Sequence, residues 1–179
     1  MRTIIITGAS GGLAQEMVKL LPEDRLILLG RNQEKLEKLY ASHPQAECIG
    51  IDITDSSAVQ DLVEELYQRY GQIDILVNNA GLALGLAPYQ DYEELDMLTM
   101  LDTNVKGLMA VTRCFLPSMV KANQGHIINM GSTAGIYAYA GAAVYSATKA
   151  AVKTFSDGLR IDTIATDIKV TTIQPGIVE

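Results

Sequence analysis

Short apolar runs rich in β-branched residues alternate along the chain with longer stretches in which apolar residues recur every three or four positions. The short runs have the length and composition of buried β-strands, whereas the longer spacing is typical of amphipathic helices. Six runs have the strand pattern, at residues 3–7, 25–29, 47–52, 74–77, 126–130 and 169–173. Strands that alternate with helices in this way predict a parallel sheet covered by helices.

Helical stretches connect these runs. One helix opens at the glycines after the first strand, and a second is marked by Leu36, Leu39 and Tyr40. The apolar stripe of a third comprises Val59, Leu62, Val63, Leu66 and Tyr70. Two longer helical regions cover about residues 92–120 and 144–164. We therefore predict one α/β domain over residues 1–179, a doubly wound, Rossmann-type parallel sheet with helices on both faces.

Composition narrows the possible functions. The 179 residues are 48% hydrophobic and 20% charged, which is ordinary for a globular domain. A formal net charge of -7 gives no electrostatic reason to expect nucleic acid or anionic lipid as a partner. Cys48 and Cys114 stand far apart, so neither a disulfide framework nor a metal site is expected. No stretch approaches the roughly 18 apolar residues of a membrane span, and the first strand leaves no room for a signal peptide, so we expect a cytoplasmic protein.

Small and polar residues follow the first and fourth predicted strands. Gly8, Gly11 and Gly12 come after the first, and the segment 78–81, Asn-Asn-Ala-Gly, comes after the fourth. In a parallel sheet these positions face the ligand crevice, and a helix that opens at a glycine loop can receive a pyrophosphate. Neither G-x-G-x-x-G nor a P-loop is present, since the spacing is Gly8-x-x-x-Gly12-x-Ala14. Glycines that merely turn a strand into a helix are the alternative.

The residues after the second strand indicate which nucleotide would bind. Gly30, Arg31 and Asn32 stand where an acidic residue would accept hydrogen bonds from the ribose of NAD. Arg31 instead offers a planar fork that suits the 2′-phosphate of NADP. The sequence therefore favours NADP over NAD, with a solvated arginine near a helix start as the alternative.

A tyrosine and a lysine four residues apart supply candidate chemistry. Tyr145 and Lys149 share one face of the last helix, and Ser132 lies upstream at the end of a strand. A phenol ordinarily titrates at about 10, and a nearby ammonium makes it a stronger acid. Ser132 could orient a substrate oxygen toward Tyr145, or it could be a turn or cap residue. An acyl-transfer function is disfavoured, because Met130 stands where Gly-x-Ser-x-Gly needs glycine and both histidines precede the serine.

Taken together, these motifs resemble those of the short-chain dehydrogenase/reductase family in order and approximate spacing. They are Thr7-Gly8-x-x-x-Gly12, Asn78-Asn79-Ala80-Gly81, Asn104, Ser132, Tyr145-x-x-x-Lys149 and Pro175-Gly176. Within the family, residues 78–85, 102–107 and 125–135 resemble the bacterial NADP-dependent 3-hydroxy acid dehydrogenases that also oxidise serine or allo-threonine. The resemblance implies an NADP-dependent oxidoreductase that interconverts a secondary alcohol and a carbonyl on a small molecule.

The resemblance also implies roles for individual residues. Its catalytic set is Asn104, Ser132, Tyr145 and Lys149. In that set Tyr145 is the acid/base, Lys149 holds the nicotinamide ribose, and Asn104 anchors a water. Its cofactor-binding set is Gly8, Ser10, Gly11, Gly12, Leu13, Arg31, Asn32, Asp52, Ile53, Asn79, Ala80, Gly81, Tyr145, Lys149, Pro175 and Gly176. Without the resemblance, Asn104 could mark a helix kink near Gly107, Asp52 could be a turn or cap residue, and Lys149 could be a surface neighbour of Tyr145.

Two further expectations concern the end of the chain and its assembly. Family members continue past the Pro-Gly into a substrate loop and a last edge strand, so we expect a C-terminally truncated domain that lacks both. The family also forms homodimers and homotetramers through its long helices. Apolar residues on these helices could pair between subunits or pack on their own sheet: Leu108, Val111, Phe115, Met119, Phe155 and Leu159. The functional alternative is an inactive nucleotide-binding regulatory or scaffold protein.

Overall fold

The six predicted strands form one parallel sheet in the computed structural model, which describes residues 1–177. They are β1 (Thr3–Thr7), β2 (Arg25–Gly30), β3 (Ala46–Gly50), β4 (Ile75–Asn78), β5 (His126–Met130) and β6 (Lys169–Ile173). Their order across the sheet is β3-β2-β1-β4-β5-β6, which reverses direction between β1 and β4. A ligand crevice is expected beyond the carboxyl ends of these two strands. The prediction of a doubly wound parallel sheet is confirmed.

The helices cover both faces of this sheet. They are α1 (Gly12–Lys19), α2 (Gln33–Leu39), α3 (Ser56–Tyr70), α4 (Glu94–Leu101), α5 (Leu108–Ala122) and α6 (Ala143–Asp162). Side chains alternate along each strand, so Ile5 joins the core beneath α3, α5 and α6, while Ile4 and Ile6 join the core beneath α1 and α2. No helix within residues 1–177 is long and apolar enough to cross a membrane. One domain over residues 1–179, shortened at its C-terminus, stays a prediction, and Val178 and Glu179 lie outside the described residues.

The third strand ends earlier than its sequence suggests. The prediction extended it to Asp52, but β3 ends at Gly50. Its partner β2 ends at Gly30, which pairs with Gly50, and Ile51 N–H makes a last bond to the Gly30 carbonyl. Because β3 is an edge strand with no neighbour on its other side among residues 1–177, no described strand extends the ladder beyond that point. Asp52 therefore lies in the loop that follows the strand.

The predicted helical region over about residues 92–120 contains a π-helical segment. A π-helical segment, Asp102–Gly107, joins α4 to α5, and α4 begins only at Glu94. The predicted helical region therefore forms as one unbroken run of helix with six residues in π-helical geometry, and both Asn104 and Gly107 lie in this segment. π-Helical turns inside α-helices occur often at functional sites.

The apolar residues considered for subunit pairing are buried in the chain's own core. Leu108, Val111, Phe115, Met119 and Leu159 are each 6% exposed or less, and Phe155 packs against the same cluster. Their stripe faces the sheet, so of the two alternatives the structure supports packing on the sheet. The apolar side chains that α5 and α6 leave exposed are others, including Met109, Val120 and Ile161.

Candidate active site

The loops after β1 and β4 are joined by side-chain hydrogen bonds at the point where the strand order reverses. Thr7 Oγ1 accepts from the N–H groups of Asn79 and Ala80 at 3.1 and 3.0 Å. In return, the Asn79 carboxamide donates to the carbonyl oxygens of Thr7 and Gly8 at 3.0 and 3.1 Å. The two small-residue segments that the sequence singled out therefore form one rigid wall.

Gly8 shows why this wall requires glycine. Its φ is +63°, a left-handed conformation that side chains disfavour. A Cβ atom at Gly8 would also lie 2.6 Å from the Cα of Ala80, where backbone cannot yield easily. The glycine loop thus lies directly against the loop after β4, and its backbone stays exposed to the crevice.

A cleft of about 530 Å³ opens beside this wall. Predicted cofactor-binding residues make up much of its lining: Gly8, Ser10, Gly11, Gly12, Leu13, Arg31, Asp52, Ile53, Asn79, Ala80 and Gly81. α1 begins at Gly12, and no side chain of the described residues caps its first turn. The first N–H groups of α1 can therefore bind an anion in the cleft.

Two predicted residues at the outer end of this cleft also have local structural roles. Asn32 does not line the cleft, and its side chain caps α2 by accepting from the Lys35 N–H at 2.9 Å. Asp52 lines it but also accepts from the N–H and hydroxyl of Thr54, and the first of these hydrogen bonds is the main reason that its pKa is lowered. The nearby Arg31 lowers the pKa of Asp52 further. Both residues stay predictions as cofactor ligands.

A second cavity of about 280 Å³ adjoins the first and shares Leu13, Asn79, Gly81 and Leu82 with it. The residues that complete its wall are Ala83, Met130, Gly131, Ser132, Tyr145, Lys149, Pro175 and Gly176. The carbonyls of Ile173 and Pro175 accept from the N–H groups of Gly131 and Thr133, which fastens the Pro-Gly segment to the loop carrying Ser132. The fold thus brings Ser132, Tyr145 and Lys149 into one cavity next to the larger cleft.

The hydroxyls of Ser132 and Tyr145 are free to meet a ligand. Ser132 Oγ accepts from the Ala134 N–H at 3.1 Å, which caps a short turn and leaves its own proton available. Within residues 1–177, no hydrogen bond engages the half-buried Tyr145 hydroxyl. The two functions considered for Ser132, cap and substrate contact, are therefore compatible.

Lys149 is buried beside them. Its ammonium donates to the Met130 carbonyl at 2.8 Å and lies 5.8 Å from the centre of the Tyr145 ring. Only 7% of the residue is exposed, and this burial lowers the pKa of Lys149 to about 8. Lys149 is thus a cavity residue and not a surface neighbour of the tyrosine.

Asn104 lies just behind the cavities. It is 1% exposed, and its carboxamide bonds to both backbone groups of Leu82: Nδ2 donates to the carbonyl at 2.8 Å, and Oδ1 accepts from the N–H at 2.9 Å. A Cβ atom at Gly81 would lie 3.3 Å from both Asn104 Oδ1 and Lys149 Nζ. Asn104 therefore supports the wall between the cavities, and its role as a water anchor stays a prediction.

Some residues of the site were not among the predicted site residues. Leu82 and Met130 contribute backbone groups, and Thr99, Asp102 and Thr103 line the cleft from α4 and the π-helical segment. A contact made by a backbone group does not require a particular residue type, so the sequence does not reveal it. Which residues of α4 line the cleft depends on how α4 packs. No cluster of three or more potential metal ligands occurs within residues 1–177.

A doubly wound sheet with a glycine-lined cleft at its switch point, joined to a cavity that holds Ser, Tyr and Lys, defines a dinucleotide-dependent dehydrogenase. The comparisons identify its family. A sequence model of the short chain dehydrogenases matches residues 2–179. The chain belongs to the short-chain dehydrogenase family.

Individual relatives support this assignment. The chain is 43% identical over 178 residues to the NADP-dependent 3-hydroxy acid dehydrogenase of Escherichia coli K12, covering 98% of this chain and 72% of the relative. It is 42% identical over 180 residues to serine 3-dehydrogenase of Agrobacterium fabrum, again with 72% of the relative covered. Its fold matches the closed form of a serine dehydrogenase complexed with NADP+, with a TM-score of 0.95 and 42% identity over 99% of this chain and 73% of that one. The family resemblance found in the sequence is confirmed.

Proposed function

We propose that this chain is an NADP-dependent oxidoreductase that interconverts a secondary alcohol and a carbonyl on a small molecule, with Tyr145 as acid/base. The observation that carries the proposal is the junction of the two cavities, because Ser132, Tyr145 and Lys149 meet beside the glycine-lined cleft. Two relatives whose names give NADP-dependent or serine dehydrogenase activity support it.

The cleft suits a nicotinamide dinucleotide. Gly8 must be glycine, the α1 N-terminus offers N–H groups, and Arg31 supplies a cation at the far end. The glycine loop and α1 would hold the pyrophosphate, and Arg31 would hold the 2′-phosphate. Asn79 and Lys149 would lie near the nicotinamide end, since both line the second cavity. When bound, the cofactor supplies or accepts the hydride.

The side chains of the second cavity carry out the proton transfer. Ser132 donates a hydrogen bond to the substrate oxygen and holds it near Tyr145. Tyr145 gives its hydroxyl proton to that oxygen during reduction and takes a proton from it during oxidation. The Lys149 ammonium stabilises the phenolate that forms, and burial strengthens this interaction because little water screens it.

We infer a small hydroxy acid as the substrate class. Among the described residues that line the cavity none is acidic, so a substrate carboxylate would meet no like charge there. The names of the relatives, a 3-hydroxy acid dehydrogenase and a serine 3-dehydrogenase, agree with this class. The test is NADP+ reduction by purified protein with serine, allo-threonine and unsubstituted 3-hydroxy acids. Turnover of at least one supports the proposal.

The rival function is an inactive nucleotide-binding regulator or scaffold of the same fold. It predicts NADPH binding with no turnover on any of these substrates or on a broad carbonyl panel. We also propose that the protein acts in the cytoplasm and forms a homodimer or homotetramer. Light scattering that gives a monomer at micromolar concentration would contradict the assembly.

Arg31→Ala is expected to weaken NADPH binding by about ten- to a hundredfold and to leave NADH binding within about twofold. The reason is that the guanidinium would contact the phosphate that distinguishes the two cofactors. Calorimetric titration of both cofactors measures the effect. Lys38→Ala is the matched control, because it removes an exposed cation from α2 outside the cleft. An equal loss for NADPH and NADH would refute the assignment of Arg31.

A further inference from the structure

Thr148 lies on α6 between Tyr145 and Lys149, with no exposed surface. Its hydroxyl donates to the Tyr145 carbonyl at 2.7 Å and accepts from Asn104 Nδ2 at 3.1 Å. One hydroxyl therefore ties the turn of α6 that carries Tyr145 to the π-helical segment that carries Asn104. A single hydroxyl can make both bonds because it contains one donor and can accept as well.

The contact continues from Asn104 to the wall of the site. The two hydrogens of Asn104 Nδ2 go to Thr148 and to the Leu82 carbonyl, while Oδ1 accepts from the Leu82 N–H. Leu82 in turn lines both cavities. Thr148 thus helps to fix the orientation of the Asn104 amide. The amide in turn holds the Leu82 backbone, which lies between the cleft and the cavity.

We propose that Thr148 is a positioning residue that fixes the distance between Tyr145 and the Leu82 wall through Asn104. Without its hydroxyl, one buried N–H of Asn104 has no acceptor, and the amide can turn away to find one. The Leu82 wall then loosens while the fold and the outer cleft persist. The kinetic part of this inference rests on the proposed oxidoreductase function, but the structural part does not.

The same helix offers a matched control. Ser146 is 6% exposed, and its hydroxyl has no hydrogen-bond partner within residues 1–177. Ser146→Ala therefore removes a buried hydroxyl two residues from Thr148 without breaking a hydrogen bond within the described residues. Thr148→Val keeps the shape of the threonine and removes its hydroxyl, whereas Thr148→Ser keeps the hydroxyl and removes a methyl group.

The experiment measures amide hydrogen exchange at Leu82 by NMR, together with kcat and KM for NADP+ reduction with serine and 3-hydroxy acids. In Thr148→Val we expect exchange at Leu82 to rise about tenfold or more. We also expect kcat to fall about tenfold or more with both KM values within about twofold, because small misplacements in a site cost rate more than binding. Thr148→Ser should restore both, and Ser146→Ala should match the unmodified protein in both.

The outcomes separate this proposal from the proposed function. Unchanged exchange at Leu82 in Thr148→Val would overturn it, as would an equal rise in Ser146→Ala. If Thr148→Val lowered the melting temperature but kept a normal kcat below that temperature, Thr148 would have only a structural role. This result would also overturn the proposal. If the unmodified protein turns over neither these substrates nor any member of a broad carbonyl panel, the proposed function fails, whereas the exchange measurement still decides whether Thr148 orders the Leu82 wall.

Discussion

Replacing Tyr145 with phenylalanine is expected to lower kcat by about 10³, within the range that general acid/base groups contribute. Tyr145 lines the second cavity, and within residues 1–177 no hydrogen bond engages its hydroxyl, so loss of the hydroxyl removes the proton donor and breaks no hydrogen bond there. Phenylalanine keeps the ring beside Lys149. NADPH affinity should therefore stay within about twofold, while single-turnover oxidation of NADPH by a carbonyl substrate becomes slow.

Tyr137→Phe is the control for this change. Tyr137 lies on the loop between Ser132 and Tyr145, is 75% exposed and does not line the cavity. Its variant should keep full turnover. If Tyr145→Phe kept a third or more of the kcat, Tyr145 would not be the acid/base.

Lys149→Met is expected to stabilise the protein without cofactor and to abolish most of its activity. Burial lowers the pKa of Lys149 to about 8 from an unfolded value near 10.4, so the buried ammonium destabilises the folded state. A difference of that size corresponds to about 3 kcal/mol, and loss of the hydrogen bond to Met130 offsets part of it. We expect the free energy of unfolding at about pH 7 to rise by about 1–3 kcal/mol.

The sign of the pH dependence follows from proton binding. Between the folded and unfolded pKa values of Lys149, the unfolded chain binds more protons, so this residue's penalty is full below about pH 8 and disappears as pH rises toward about 10.4. The advantage of Lys149→Met in urea unfolding should therefore shrink over that interval. An advantage that grew with pH, or a variant less stable than the unmodified protein at about pH 7, would show that burial of the Lys149 ammonium does not destabilise the folded state.

Lys153→Met serves as the matched control on the same helix. Lys153 pairs with Asp157 at 2.9 Å, and both side chains are 44% exposed. Such a surface pair contributes little, so its loss should change the free energy of unfolding by less than about 1 kcal/mol. Turnover by this variant should be unchanged.

The sequence predicted the sheet and several of the residues that line its crevice, because both depend on local patterns. Buried strands such as β1 are continuous apolar runs, and the Gly8 loop must follow a strand end to reach the crevice. Since the carboxyl ends of parallel strands share one edge, Ser132 after β5 and Gly8 after β1 had to lie on the same side of the sheet. The tyrosine and lysine followed from helical spacing.

Other features depend on contacts that periodicity does not encode. β3 ends where its partner β2 ends. The apolar side of α5 that includes Phe115 packs on the chain's own sheet. The hydrogen bond from Asn104 to Thr148 joins residues 44 positions apart in the sequence, and Asn104 lies in a π-helical segment that apolar periodicity does not predict. A strand run, a helical stripe or a single polar residue carries no information about such partners.

A fluorescence titration of the purified protein with NADPH, run in parallel with NADH, tests whether the cleft beside Gly8 binds a nicotinamide dinucleotide. We expect saturable NADPH binding in the micromolar range and binding of NADH at least about tenfold weaker. Absence of binding by either cofactor would contradict this expectation, and equal affinity for the two would contradict the preference for NADP.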